Sequence, residues 1–210
     1  MHDAPPWSGP SWRLMALRYT GCERIGRDPG RSGCDVWWIG MTGDSADTDA
    51  RVRATREAIR LAFNDLVLSG SFDAIRIGNL VERAGVGRST FYEHYRSKDD
   101  VLRDAVRGVL GMLGGGLALR PDPNGIIAFL DHVASNRAAS LVILRGSARA
   151  IVVDVLTDVL RDEGATELGG AFVAEATIGL VLNWLERPGE LEEGQFARAL
   201  IELSRPAFEG

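Results

Sequence analysis

The chain has 210 residues, 45% of them hydrophobic and 25% charged, enough to bury the core of one large domain or two small ones. A net charge of −5 argues against a surface that coats nucleic acid throughout, and three histidines with two cysteines leave little material for metal or nucleophilic chemistry. Neither a secretory apolar region nor a run of transmembrane length appears. The longest run, 171–185, is short and carries Glu175, so no membrane role is expected and the cytoplasm is the expected location.

Charge is unevenly spread. Residues 50–104 hold ten Arg/Lys against eight Asp/Glu, residues 105–210 nine against fourteen, and residues 1–49 five against seven. One segment is therefore mildly basic, which permits DNA binding without demonstrating it.

Residues 1–48 differ from the rest. They hold Trp7, Trp12, Trp37 and Trp38, both Cys22 and Cys34, and scattered Pro and Gly, with no sustained period. A poorly ordered extension is expected. The polar lead-in that begins at Met41 points to a natural start there. The two cysteines stand alone, with no second pair and no nearby His, so no metal site is expected.

A first helix is predicted over Asp49–Ser69. Ile59, Ala62, Phe63, Leu66 and Val67 fall on one face, Asp47, Thr48 and Asp49 are N-cap candidates, and Gly70-Ser71 closes it. Phe72 packs the connection. A second, short helix follows, with Ile77, Leu80, Val81 and Ala84 at three- and four-residue spacing. Gly85 then offers the positive φ that ends a helix sharply. In the next helix Phe91 and Tyr95, one turn apart, face inward. Arg88, Ser89, Tyr92 and Glu93 are left outside. A short helix with a small polar outer face is what the DNA major groove admits.

The residues Ala84-Gly85-Val86, Ser89-Thr90-Phe91-Tyr92, His94-Tyr95 and Ser97-Lys98 resemble the DNA-binding domain of the TetR family of bacterial regulators, over Asp49 to Leu102. The resemblance implies an all-α protein. An N-terminal three-helix, helix–turn–helix DNA-binding domain (49–98) would precede a larger helical effector-binding and dimerisation domain (99–210). Arg88 could bond bidentately to guanine O6 and N7, and Ser89, Tyr92 and Glu93 are candidate readers of neighbouring bases. Thr90, His94, Lys98 and again Tyr92 look like phosphate contacts. Among Arg51, Arg53 and Arg56 in the first helix, Arg51 is the phosphate candidate, against a simply solvated face. One position departs from the family pattern: Arg76 stands where Ser or Thr usually caps the second helix. Arginine has only donors, so the cap is lost while a phosphate contact stays possible.

Ser97-x-x-Asp100 is a capping box that opens the next helix. Leu102, Ala105, Val106, Val109, Leu110 and Leu113 continue it as a stripe. Gly111 and Gly114-Gly115-Gly116 are expected to weaken or end it as a flexible joint, with Pro121 and Pro123 in the loop. A phosphate loop is rejected, because no strand precedes the glycines and no Lys-Ser/Thr follows.

From Asn124 onward every segment reads as helix. Ile126, Ile127, Leu130 and Val133 form one face, and Leu141, Leu144, Ala148, Ile151, Val152, Val155, Leu156 and Val159 another, with a break near Gly146-Ser147. Residues 168–186 are apolar almost all round and must be covered on two sides. With the final helix, 194–204, they are expected to build a two-fold interface between copies, through Phe172, Ile178, Leu182, Leu185, Phe196 and Leu200. A monomer that buries the same helix is the alternative.

The function expected is a homodimeric, ligand-responsive transcriptional regulator, most simply a repressor. It would be released from a pseudo-palindromic double-stranded DNA operator by a small apolar or amphipathic effector. Phe129, His132, Leu144 and Trp184 are candidate pocket residues, each also readable as core. The alternative is a helical dimer of the same fold that binds a protein partner and reads no DNA. No catalytic constellation, cofactor or metal is expected.

Overall fold

The computed structural model describes residues 43–118 and 121–208, with side chains from Asp49 onward. The extension, its cysteines and the start at Met41 lie outside the described residues. Every described element is helical: α1 (Gly43–Ser69), a 3₁₀ turn (Phe72–Ala74), α2 (Ile77–Ala84), α3 (Arg88–His94), α4 (Lys98–Leu117), α5 (Pro123–Ser135), α6 (Arg137–Arg145), α7 (Arg149–Asp162), α8 (Glu167–Glu186), α9 (Glu193–Ser204) and a closing 3₁₀ turn (Arg205–Ala207).

The first helix begins at Gly43, ahead of the expected Asp49, so Asp47, Thr48 and Asp49 lie inside it rather than at its cap. Ile59, Ala62, Phe63 and Val67 are buried as the spacing requires. They form one core with Phe72, Ile75, Leu80, Val81, Phe91, Tyr95, Val101 and Leu102.

A second core joins the later part of α4 to α5, α7, α8 and α9. Leu113, Ile126, Leu130, Leu156, Leu160, Ile178 and Val181 lie at its centre. The two cores meet. Val106, Ile143 and Ile151 pack against both, and Ala148, at the corner between α6 and α7, is fully buried in the first. The corner is also tied by a bond from Ser147 Oγ to Asp73 Oδ1 (2.5 Å).

The capping box forms as read: the Ser97 hydroxyl accepts from the Asp100 amide, and the Asp100 carboxylate accepts from the Ser97 amide, both at 3.2 Å. The helix it opens overturns one expectation. Gly111 and the glycine run do not interrupt α4, which continues to Leu117. The glycines are close-approach points. A Cβ on Gly114 would stand 2.3 Å from Val159 Cγ1, and one on Gly116 would stand 2.6 Å from Ile126 Cγ1 and 3.0 Å from the Asp122 carbonyl oxygen. Each glycine costs helix propensity, and backbones packed nearer than side chains allow recover it.

Helix α8 is long and apolar enough to cross a membrane by length and composition. One side of it, with Val173, Ala174, Ile178, Val181 and Leu185, is packed into the second core.

Gly116→Ala should destabilise the fold by about 1–3 kcal/mol, since backbone atoms at 3.0 and 3.1 Å from the new methyl cannot move aside cheaply. Gly111→Ala, whose added methyl meets nothing within 4 Å, should be neutral or raise stability by up to about 1 kcal/mol. Urea unfolding of the two variants beside the parent measures both.

Candidate nucleic-acid interface

The geometry starts at the corner. Gly85 adopts φ 67°, ψ 28°, its amide donates to Glu82 O (3.2 Å), and Val86 N–H donates back to Val81 O (3.1 Å). This paired closure ends α2 and turns the chain within three residues. At the other end of α2, Arg76 occupies the cap position with no side-chain cap bond, as its donor-only chemistry requires.

Helix α3 lies across this corner. Phe91 is fully buried and Tyr95 nearly so, with ring centroids 5.9 Å apart. Their burial turns the opposite side outward, where Arg88, Ser89, Tyr92 and Glu93 are all exposed. Tyr92 leans the edge of its ring on Phe91 at 5.4 Å while 54% of its surface stays open. The Arg88 guanidinium lies over Gly78, where an added Cβ would be 3.5 Å from Nη2.

Around this face, Arg76 and Arg51 are exposed, and Thr90 and His94 are half-buried at the edge of α3. Lys98 is engaged within the protein. Its ammonium donates to Phe72 O (2.8 Å) and Asp73 O (3.2 Å) and sits 4.5 Å from the centroid of the Phe72 ring. It therefore braces the connection between α1 and α2 from the start of α4.

Sequence reasoning missed a polar cluster behind α3. Tyr95 Oη donates to Asp104 Oδ2 (2.5 Å) and accepts from Arg56 Nε (3.3 Å), and Arg56 Nη2 donates to Asp104 Oδ1 (2.6 Å). The available signal was a polar tip on an otherwise apolar inner stripe, since a buried tyrosine hydroxyl needs a partner. Nothing in the spacing of Arg56 and Asp104 identified that partner.

The expected effector and dimer residues fall as follows. Phe129 and Leu144 are buried in the second core, and Trp184 stacks on Phe196 (5.7 Å, 24°) and donates Nε1–H to Leu191 O (3.0 Å). His132 faces solvent at the end of α5. Partial desolvation of its ring lowers its pKa from the ordinary histidine value, opposed by Asp131. Four of the six interface candidates need correction. Ile178, Leu185, Phe196 and Leu200 point into the protomer's own core, and Leu182 is half-buried against it. A helix apolar all round does not reveal from sequence which side faces its own chain. Phe172, at 68% exposure, does point outward, with Leu168 and Leu180.

Residues 66–105 match the family model described as bacterial regulatory proteins, tetR family. An uncharacterized HTH-type transcriptional regulator of Bacillus subtilis (strain 168), YxbF, is 30% identical over 77 residues. The match covers 36% of this chain and only 20% of that protein. A TetR transcriptional regulator from Streptococcus agalactiae 2603V shares the fold at a TM-score of 0.54 and 20% identity, over 77% of this chain and 99% of that one. The matched stretch holds the glycine corner, the short helix α3 and the capping box that locks it to α4, and over these residues the chain is similar to the tetR family of bacterial regulatory proteins.

Proposed function

We propose that this chain is a transcriptional regulator, a homodimer that reads a pseudo-palindromic operator and is released from it by a small apolar or amphipathic effector. Residues 49–98 form the DNA-reading unit and 99–210 the effector and dimer unit. The protein works in the cytoplasm, where its operator is. The observation that carries the reading is the outward set Arg88, Ser89, Tyr92 and Glu93, on a helix whose aromatics hold it from behind. Arg88 supplies the two parallel donors that match guanine, Glu93 can accept from cytosine N4, and Ser89 and Tyr92 meet adjacent bases. Arg76, Thr90, His94 and Arg51 serve the phosphates around them, which positions the helix without specifying sequence, while Lys98, expected among them, is taken up by the carbonyls of Phe72 and Asp73.

The second copy is assigned to the outer side of α8. Leu168, Phe172, Ala176 and Leu180 recur every four residues along it, exposed at 82%, 68% and 38% for the three large side chains. Leu203 of α9 is also exposed, at 62%. Such a stripe is costly to leave in water, and a two-fold axis covers it with its own kind. Dimerisation sets the distance between two recognition helices, so an effector that favours another spacing weakens operator binding. By linkage the operator weakens the effector by the same factor. Phe129, Leu144, Trp184 and His132 remain the candidates for sensing it.

Selection of fragments from a random DNA pool should return an inverted repeat. Arg88→Ala should relax one position in each half-site, at a cost of about 1–3 kcal/mol per contact, while Arg76→Ala should weaken all duplexes alike and reduce the salt slope by about 0.9. A chain that shifts no duplex in a sequence-dependent way is instead a partner-binding dimer of the same fold. Phe172→Glu should give a monomer by analytical ultracentrifugation and lower operator affinity by roughly 10²-fold or more, since the two heads are no longer linked.

A further inference from the structure

We propose that the Tyr95 hydroxyl is a positioning group for DNA reading: held by Asp104 and Arg56, it fixes the recognition helix at one angle to α4. The inference rests on α3 being the base-reading helix.

Three elements meet at this hydroxyl. Arg56 comes from α1, Tyr95 is the residue that closes α3, and Asp104 lies in the second turn of α4. The Tyr95 amide donates to Phe91 O at 2.9 Å, so the residue that ends the recognition helix is the one pinned. The ring itself is only 4% exposed, and packing alone would be served equally well by phenylalanine. A phenylalanine would leave no polar atom to satisfy. Polar networks of this kind add little to stability against an apolar replacement, and their best-attested use is to specify one arrangement. The bond to a carboxylate is short and directional, and tolerates displacements of only a few tenths of an ångström. Arg88, Ser89, Tyr92 and Glu93 lie within two turns of the pin, and their bonds to base edges have the same narrow tolerance. Burial, then the bond to Asp104, pushes the phenol up to about 12 against the opposing effect of Arg56, so it remains a donor wherever DNA binding is measured.

The test is Tyr95→Phe in the full chain, which keeps the ring and removes the pin. Hydrogen exchange of the free protein should show amides of residues 88–95 exchanging roughly tenfold faster, with α7 unchanged. The affinity ratio between the operator selected by the parent and a scrambled duplex, at one fixed salt concentration, should fall roughly tenfold with the scrambled affinity unchanged. Asp104→Leu should reproduce both effects, and the double variant should be no worse than either single one. Unchanged exchange in α3 overturns the pin, as does faster exchange shared equally by α7, which marks a general loss of stability. Faster exchange confined to α3 with an unchanged affinity ratio overturns the role in DNA reading. A parent chain that selects no sequence removes the DNA reading itself, and the positioning role with it. That failure is distinguishable because it appears before any substitution is made.

Discussion

Helix α3 has seven residues, too few to be stable in water on propensity alone. It exists because Phe91 is completely buried and Tyr95 almost so, against a core supplied by α1, α2 and α4. That burial does two things at once. It provides the tertiary energy that a short helix lacks, and it decides which side faces outward, since a side chain cannot point both ways. The outward set Arg88, Ser89, Tyr92 and Glu93 is the complement of the buried pair. Replacing Phe91 would therefore lose the helix and its exposed chemistry together, by roughly the 3–5 kcal/mol typical of truncating a buried aromatic.

The core that holds α3 is not closed by the first helices alone. Ala148, at the corner between α6 and α7, is fully buried in it, and Ala139, Val142, Ile143 and Ile151 pack against it. The same corner reaches Asp73 through Ser147, and the Asp73 carbonyl is braced from α4 by Lys98. The connection preceding α2 is thus held from two sides, once by the helix that follows the recognition helix and once by the larger helical region. Close-packed contacts of this sort do not deform continuously. A displacement of the corner must either carry the connection with it or leave a small void where Ala148 sat.

Much of this was legible in the sequence, for reasons that can be named. The glycine corner was readable because one residue type dominates the left-handed region, and the capping box because two side chains at fixed spacing satisfy each other's backbone. The inward pair Phe91 and Tyr95 was readable from helical period. Properties of the surroundings were harder. A glycine run looks like a break until the neighbouring helix is known: Gly114 faces Val159 and Gly116 faces Ile126, forty-five and ten residues away in the chain. The side of α8 that meets its own chain depends on where α4, α5 and α7 lie. The period within α8 is nearly uniform, so the sequence offered no basis for choosing Phe172 as outward and Ile178 as inward. The polar cluster at Tyr95 was half legible, since the hydroxyl announced a partner without identifying Asp104.

Charge narrows how such a protein can hold DNA. The net charge is −5, and residues 50–104 carry only a small basic excess. Several arginines of the structure are already paired within the chain: Arg83 with Asp65, Arg56 with Asp104, Arg103 with Asp154 and Arg107 with Asp162. Exposed pairs of this type contribute little to stability, around 0–1 kcal/mol each, but they remove cations from the long-range field. Any non-specific attraction to a duplex would be correspondingly modest. On the proposed reading, operator affinity then depends on a few well-placed contacts and on engaging two half-sites at once. Both are sensitive to geometry in a way that bulk attraction is not. On the same reading, small changes in the spacing or tilt of the two recognition helices would be enough to release the protein, because it would have little electrostatic reserve to keep it on the DNA once they no longer fit.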